Sequence, residues 1–277
     1  MKPLLAFFAL LGALGLTRGE TIDPYTSKPH VDFHIFGSGK TQLLVVGDSR
    51  LRNSSQDFWN STFGSTGWGE CLGKVEALKS YRIVNCGIGG TSLRSYINRG
   101  YWNRVLALVK TEDIVIFYFA GNDLRPIEDQ KRSCGELHGL GDKSTTIYNP
   151  YLKCDETVLT YGAYYNRVIS EVKKAGAIPY ICTYFSGQLW KDGQHQPGPS
   201  HMVNAWIHLI ATENQVKLVD LYTLMERELA VRGEKKSAEL FVKDGFHTSS
   251  KGALLVANLI GDIVSNNRFT EPVPPQP

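Results

Sequence analysis

The chain has 277 residues and a formal net charge of only +3, from 30 Lys and Arg against 27 Asp and Glu. The basic residues are scattered along the sequence, which excludes the basic patch typical of nucleic-acid-binding proteins. The length suits one α/β domain with a substantial core, for which we expect a monomer without a nucleic-acid partner.

The first 19 residues are predicted to be a secretory signal peptide. Lys2 is followed by a 13-residue apolar run at positions 4–16 and then by small and polar residues, the order typical of such leaders. That run is too short to span a bilayer, and no later run approaches the roughly 20 residues that a transmembrane helix needs. We therefore expect a secreted, extracellular protein with no membrane partner. A buried N-terminal helix is the alternative.

After a polar lead-in at residues 20–40, apolar runs alternate with amphipathic stretches through one predicted domain at residues 41–267. A Pro-rich tail is predicted at residues 268–277. The alternation predicts a parallel sheet covered by helices on both faces. The predicted strands are residues 43–46, 82–84, 114–119, 178–182 and 217–219, and the predicted helices lie near 69–79, 93–110, 157–175, 201–213 and 250–264.

The sequence contains five cysteines, which in an exported protein permit disulfides. Cys134 and Cys154 flank a Gly- and Ser-rich excursion and are the predicted pair; closing a loop of about 20 residues would contribute roughly 3 kcal/mol in the chain-entropy model. The other three are equally well explained as small apolar core residues. Asn53 and Asn60 begin sequons and are the predicted glycosylation sites.

Four short motifs carry the candidate chemistry, and three of them follow a predicted strand. Because the carboxyl ends of parallel strands meet at one edge of a sheet, we expect these motifs to converge there. The motifs are Gly47-Asp48-Ser49, residues 85–90, Asn122-Asp123 and Asp244-Gly245-Phe246-His247.

Ser49 is the predicted nucleophile, because its hydroxyl can project at the sheet edge directly after a buried strand; the alternative role is a helix N-cap. Asp244 and His247 are three residues apart. A turn between them can bring the carboxylate to His247 Nδ1, which leaves Nε2 to face the serine. The motif therefore predicts a Ser-His-Asp triad. The alternative is an ordinary surface turn without a catalytic role.

An oxyanion hole is predicted from three hydrogen-bond donors: the backbone N–H groups of Ser49 and Gly90 and the side-chain amide of Asn122. Gly90 ends a glycine-rich run in which the backbone can approach a substrate carbonyl closely; a simple tight turn is the alternative. Loss of one such donor typically lowers the rate about 100- to 1000-fold.

Further stretches resemble one family: Gly67-Trp68-Gly69-Glu70 and residues 92–96, 155–160 and 247–249. Together with the four motifs, they are similar to fungal rhamnogalacturonan acetylesterases of the SGNH (GDSL-type) hydrolases, over residues 41–265. The resemblance implies a flavodoxin-like three-layer α/β/α sandwich with a five-stranded parallel sheet, the SGNH hydrolase fold. It also implies the site roles given above.

The chain departs from the family pattern in two places. Ala120 and Gly121 stand where the relatives have Gly followed by a variable residue, often His, so a methyl group occupies a conformationally demanding position. Thr91 stands where the relatives commonly carry Arg. Both departures touch the substrate pocket and put the identity of the polysaccharide in doubt.

Asp48, Arg94 and Trp190 are the candidate substrate-binding residues. Trp190 either stacks on a sugar ring or packs on its own loop. Arg94, together with other basic residues near the motifs, either attracts an anionic galacturonate backbone or forms a solvated face. Those other basic residues are Arg50, Arg52 and Lys243.

The implied reaction is acyl transfer through a serine ester, without a metal or an organic cofactor. The favoured function is deacetylation of pectic rhamnogalacturonan. An esterase of the same mechanism could instead act on acetylated xylan, another acetylated glycan or a lipid-like ester. A secreted glycan-binding protein that has lost turnover is the third interpretation. The unusual Ala120 is the feature that favours this third interpretation, whereas the presence of all three triad residues argues against it.

Overall fold

The computed structural model describes residues 22–52, 64–196, 198 and 200–273. The predicted signal peptide, the predicted glycosylation sites Asn53 and Asn60, and the last four residues of the predicted tail lie outside this part of the chain. None of the helices in these described ranges is long and apolar enough to cross a membrane.

The secondary structure follows the alternation expected from the sequence. The strands are β1 Ile22–Asp23, β2 Lys28–Pro29, β3 His34–Phe36, β4 Gln42–Gly47, β5 Arg82–Gly87, β6 Ile114–Tyr118, β7 Ser144–Asn149, β8 Cys154–Leu159, β9 Ile178–Cys182, β10 Trp190–Lys191, β11 Gln194–His195 and β12 Leu218–Val219. The α-helices are α1 Trp68–Cys71, α2 Leu93–Asn98, α3 Tyr101–Leu106, α4 Tyr161–Lys174, α5 Ser200–Glu213, α6 Leu221–Ser237 and α7 Ser250–Ser265.

The central sheet has the strand order β12-β9-β6-β4-β5-β3. Five of these strands are parallel, as predicted. The sixth, β3, pairs antiparallel with β5 and places His34 opposite Asn85. The expectation of a five-stranded sheet is therefore corrected: part of the polar lead-in covers the edge of β5, whose backbone groups would otherwise be open to another chain.

Helices cover the sheet in two groups. Helix α4 contacts α2 and α5, whereas α7 contacts α1 and α6. All six residues of β4, in the middle of the sheet, are buried, as expected for a parallel strand with helices on both faces. The three-layer α/β/α arrangement thus confirms the predicted fold class.

Other segments also differ from the prediction, among them two that contain a helix. Residues 154–159 form β8, which pairs with β7 in a hairpin, so the helix predicted from residue 157 begins instead at Tyr161. The side chain of Thr160 caps that helix by accepting a hydrogen bond from Ala163 N–H. Helix α6 was not predicted; it is interrupted at Gly233, where φ is +70°.

The predicted disulfide between Cys134 and Cys154 is absent, and all five cysteines are free thiols. Cys134 is fully buried, whereas Cys154 is exposed at the start of β8. The two side chains therefore lie in different environments, one inside the protein and one at its surface. Cys71, Cys86 and Cys182 are buried, which agrees with their alternative role as small core residues.

Candidate active site

The loops at the carboxyl ends of the parallel strands surround one pocket of about 270 Å³. Ser49 follows β4, Gly90 follows β5 and Asn122 follows β6, while His247 lies in the loop before α7. The convergence that the motif order predicts is therefore present. The residues lining the pocket are Ser49, Arg52, Ser65, Gly90, Gly121, Asn122, Arg125, Arg132, Tyr184, Phe246 and His247.

Ser49, His247 and Asp244 form a continuous chain of hydrogen bonds. Ser49 Oγ lies 2.8 Å from His247 Nε2, and His247 Nδ1 lies 2.7 Å from Asp244 Oδ2. Because Nδ1 faces a carboxylate, it carries the hydrogen and donates it to Asp244. His247 Nε2 is then left to accept the hydrogen bond of the Ser49 hydroxyl, which is the arrangement that the sequence spacing predicts.

The carboxylate of Asp244 is held in place by its own loop. Its Oδ1 accepts hydrogen bonds from the backbone N–H groups of Phe246 and His247, at 2.8 and 2.9 Å. The turn passes through Gly245 at φ +66°, in the left-handed region that favours glycine. Partial burial acts to raise the pKa of Asp244, but the hydrogen bonds from His247 and Phe246 outweigh it and lower the pKa below its ordinary value.

Three hydrogen-bond donors are grouped beside Ser49. Gly90 has φ +75°, a conformation that favours glycine and lets its backbone border the pocket. Within the part of the chain that the structure describes, the N–H groups of Ser49 and Gly90 have no acceptor. Asn122 Nδ2 donates one hydrogen to Thr91 O at 3.0 Å. An amide nitrogen carries two hydrogens, so one remains for a ligand.

Asp48 does not line the pocket, so its assignment to substrate binding is corrected. The side chain is fully buried. Its Oδ1 accepts the Arg50 N–H and its Oδ2 accepts the Tyr184 hydroxyl, both at 3.0 Å. Burial raises the pKa of Asp48, although the hydrogen bonds and the nearby Arg50 charge act to lower it. Asp48 therefore contributes to the pocket indirectly, by holding the hydroxyl of Tyr184, which lines it.

Arg50 is equally buried and does not face solvent. Its guanidinium carbon lies 3.6 Å from the ring centroid of Phe246 and 4.4 Å from that of Phe185, and Nη1 donates to Phe185 O at 2.6 Å. A cation over aromatic faces is attracted to the ring electrons. Arg50 thus packs beneath Phe246, the residue next to His247, instead of attracting a substrate.

Arg94 and Trp190 also lie away from the pocket lining, which corrects their assignments. Arg94 is fully buried, and its Nε and Nη2 donate to the two carboxylate oxygens of Glu156 at 2.8 and 2.7 Å. Burial acts to raise the pKa of Glu156, but the hydrogen bonds from Arg94 and neighbouring amides lower it. Trp190 lies in the β10–β11 hairpin, edge-on to His195 at 5.2 Å between ring centroids.

The remaining basic candidates divide between the wall of the pocket and its surroundings. Arg52 lines the pocket, where its Nε donates to Ser49 O at 3.2 Å and its Nη2 donates to Ser65 Oγ at 2.8 Å. Lys243 is exposed and lies outside the lining. Only Arg52 among these candidates therefore reaches the pocket.

Sequence reasoning missed four side chains that line the pocket: Ser65, Arg125, Arg132 and Tyr184. Tyr184 comes two residues after the end of β9, so the rule that ligands bind at carboxyl ends of strands could have found it. Arg125 lies three residues beyond Asn122 on the same turn. Arg132 comes from an irregular loop, for which no sequence signal was available.

The two departures from the family pattern have a structural explanation. Ala120 is buried and its φ is not in the left-handed region, so the methyl group there causes no backbone strain. Gly121 is the position without room for a side chain, because a Cβ would lie 2.7 Å from the Tyr184 hydroxyl. Thr91 is buried; its hydroxyl donates to Ile88 O at 2.8 Å while its carbonyl accepts Asn122 Nδ2.

A family model described as GDSL-like Lipase/Acylhydrolase matches residues 45–255 of the chain. A rhamnogalacturonan acetylesterase of Emericella nidulans is 24% identical over 216 residues, which are 78% of this chain and 81% of that protein. A probable rhamnogalacturonan acetylesterase of Bacillus subtilis is 23% identical over 236 residues, covering 82% of this chain and 90% of the other.

Among solved structures, an acetylxylan esterase from Geobacillus stearothermophilus has the same fold. The TM-score is 0.51 at 19% sequence identity, and the match covers 82% of this chain and 94% of that chain. At this identity the likeness concerns the fold alone.

Proposed function

The chain belongs to the GDSL-like Lipase/Acylhydrolase family, and we propose that within this family it is a serine esterase that removes O-acetyl groups from a plant cell-wall polysaccharide, with rhamnogalacturonan as the first candidate. Two related rhamnogalacturonan acetylesterases match most of the chain, and this similarity supports acetyl as the group that the esterase removes. The predicted signal peptide extends the proposal to an extracellular enzyme.

One observation carries the proposal: the hydrogen-bonded chain from Ser49 through His247 to Asp244. This hydrogen-bonded chain borders a pocket that Ser49 and Gly90 also line, and the N–H groups of these two residues have no acceptor among the described residues. A nucleophile next to a base, a base oriented by a carboxylate, and donors at the same place are the parts that acyl transfer needs.

In the first step of the proposed reaction, Ser49 Oγ attacks the acetyl carbonyl carbon and His247 Nε2 takes the hydroxyl proton. The carbonyl electron pair moves to its oxygen, and this oxyanion accepts hydrogen bonds from the Ser49 and Gly90 N–H groups and from Asn122 Nδ2. The negative charge of Asp244 stabilises the imidazolium. When the intermediate collapses, the bond to the sugar oxygen breaks, and that oxygen takes the proton from His247.

The second step repeats this chemistry with water. His247 removes a proton from a water molecule, whose oxygen attacks the carbonyl carbon of the acetyl-serine. The same donors hold the second oxyanion, and its collapse breaks the bond to Ser49 Oγ. His247 returns the proton to Ser49, and acetic acid leaves and releases its own proton to solvent as acetate.

The charge of the pocket supports an acidic polysaccharide over a neutral one. Arg52, Arg125 and Arg132 all contribute to the lining, whereas no Asp or Glu is among the described lining residues. The resulting positive potential would attract galacturonate carboxylates. Acetylated xylan without acidic side groups would gain nothing from it.

The test is release of acetate from acetylated rhamnogalacturonan and, in parallel, from acetylated xylan. We expect release to require Ser49, so that Ser49→Ala abolishes it while Ser80→Ala, at an exposed turn, does not. We also expect rhamnogalacturonan to be preferred and this preference to shrink as salt rises, because salt screens partly exposed charges.

The outcomes separate the levels of the proposal. Serine-dependent release from xylan alone would keep the mechanism and refute the pectic substrate. Release that survives Ser49→Ala would refute the mechanism. A folded protein that releases no acetate from either polymer, or from a small acetyl ester, would refute the acetylesterase proposal and favour a glycan-binding protein.

A further inference from the structure

Asn122 is held on two sides in a way that fixes which end of its amide faces which neighbour. Its Nδ2 lies 3.0 Å from the backbone carbonyl of Thr91, an acceptor, and its Oδ1 lies 3.3 Å from Nη1 of Arg132, a donor. A rotated amide would place oxygen against oxygen and nitrogen against nitrogen. The carbonyl and the guanidinium together therefore fix the amide orientation of Asn122, and its nitrogen keeps a second hydrogen for the pocket that Asn122 lines.

Arg132 is itself fixed by contacts to the residues before and after it. The Tyr151 hydroxyl donates to Lys131 O, and the Tyr25 hydroxyl donates to Ser133 O at 3.2 Å. The rings of Tyr25 and Tyr151 stack on each other, with centroids 4.4 Å apart and planes inclined by 16°. We call this pair the tyrosine clamp. It holds the backbone on each side of Arg132.

The tyrosine clamp is anchored in the protein interior. Asn149 Nδ2 donates to the Tyr25 hydroxyl at 2.9 Å and to Glu156 Oε2 at 2.7 Å. Glu156 is the partner of the fully buried Arg94. A connected set of hydrogen bonds and ring contacts thus runs from the hairpin β7–β8 to the side chain of Asn122, which is 7% exposed.

We propose that Arg132, placed by the tyrosine clamp, is a positioning residue of the oxyanion hole: it orients the Asn122 amide and polarises it toward the transition-state oxyanion. The inference rests on the proposed function, since it concerns that hole. A cation at Oδ1 draws electron density from the amide and strengthens its N–H as a donor, because charge-assisted hydrogen bonds are stronger than neutral ones. Arg132 itself need not touch the substrate.

The distinguishing variant is Arg132→Met, which keeps a similar stem but loses the charge and the donors. With a small neutral acetyl ester, such as p-nitrophenyl acetate, substrate attraction by charge plays no part. We expect kcat to fall about 10- to 100-fold, less than for loss of an oxyanion donor, with KM little changed. Arg132→Lys, which retains the charge and a donor, should recover part of the loss.

Lys131→Met is the matched control. Lys131 is adjacent and exposed, loses the same charge, and lies outside the pocket lining, so its kcat should equal that of the wild type. A second readout is inhibition by methylboronic acid, which forms a tetrahedral anion on an active serine. Its affinity should weaken in parallel with kcat in Arg132→Met.

Tyr151→Phe tests the tyrosine clamp without removing any charge, because it deletes only the hydroxyl that donates to Lys131 O. We expect a smaller fall in kcat in the same direction, with an unchanged circular dichroism spectrum. If an active wild type is matched by Arg132→Met in both kcat and boronate affinity, the positioning role is refuted and the esterase stands. A wild type that cleaves no acetyl ester refutes both proposals.

Discussion

The hydroxyl of Tyr184 occupies the space that a side chain on Gly121 would need. A Cβ at that position would lie 2.7 Å from the phenol oxygen and 3.2 Å from Asp48 Oδ2. The phenol cannot easily move away, because it is buried and donates a hydrogen bond to Asp48. Gly121 is therefore required by its neighbours and not by its own backbone, whose φ is not in the left-handed region.

Gly121→Ala should consequently lower the free energy of unfolding by about 1–3 kcal/mol, the usual cost of overpacking. Gly141→Ala is the control, because a Cβ there meets no atom within 4 Å. In the double variant Gly121→Ala/Tyr184→Phe the conflicting hydroxyl is gone. The loss of unfolding free energy in the double variant should therefore be smaller than the sum of the losses in Gly121→Ala and Tyr184→Phe alone. Urea denaturation of the wild type, of Gly121→Ala, Tyr184→Phe and Gly141→Ala, and of the double variant measures these losses. Equal stability of Gly121→Ala and Gly141→Ala would contradict the steric conflict.

The parts of the fold that the sequence predicted are those encoded locally. β4 is a run of buried residues, and a buried parallel strand is apolar along its whole length. β3 could not be predicted in this way, because its three residues are only partly buried or exposed. They become a strand through pairing with residues 83–85 on β5, which no local pattern encodes.

The candidate site also contains some contacts that are encoded locally and others that depend on the fold. Asp244 and His247 are close in sequence, so their spacing predicts their contact. Ser49 joins them because strand order brings the sheet edge and the last loop together. Arg132 was missed because its place depends on Tyr25 and Tyr151, which are more than a hundred residues apart in the chain. The sequence left open whether Trp190 stacks on a sugar ring or packs on its own loop, because a sequence does not show which side of a hairpin packs inward.

The charge of Asp244 should matter more to turnover than to substrate binding. Asp244→Asn keeps the side-chain shape but removes the negative charge opposite His247 Nδ1, so the imidazolium formed during acyl transfer loses its stabilisation. We expect kcat on p-nitrophenyl acetate to fall on the order of 100- to 10,000-fold, with KM little changed. Asp142→Asn, on an exposed loop, is the control. A fall of less than about threefold would refute the triad role of Asp244.

The free thiols give a test that needs no variant. Cys154 is the only exposed cysteine among the five, all of which lie in the described ranges. A thiol reagent such as Ellman's should therefore titrate one thiol per folded chain, and all five after denaturation without reductant. Burial also raises the pKa of the Cys134 thiol to about 12, which keeps it unreactive at neutral pH. Three thiols in the denatured chain would instead indicate that the disulfide first expected from the sequence exists.

Asp123 and Glu136 form a fully buried pair of carboxyl groups next to the candidate oxyanion donor Asn122. Asp123 Oδ1 accepts the Leu93 N–H at 3.0 Å and Glu136 Oε1 accepts the Arg94 N–H at 2.8 Å. The Glu136 N–H also donates to the backbone carbonyl of Asp123 at 2.9 Å, which ties the two residues together. Burial raises the pKa of Asp123 from 3.8 to about 7 and raises that of Glu136 well above 4.5.

The folded chain therefore keeps protons that the unfolded chain has released above about pH 4. Stability from the pair is fully present below that pH and is lost as the pH rises through the folded-state pKa near 7. Glu136→Gln removes one of the two groups whose pKa burial raises, so the free energy of unfolding should fall less between pH 4.5 and 7.5 than in the wild type. Glu213→Gln, at an exposed site, should retain the wild-type slope. Equal slopes for all three proteins in urea denaturation at the two pH values would show that the pair holds no extra proton.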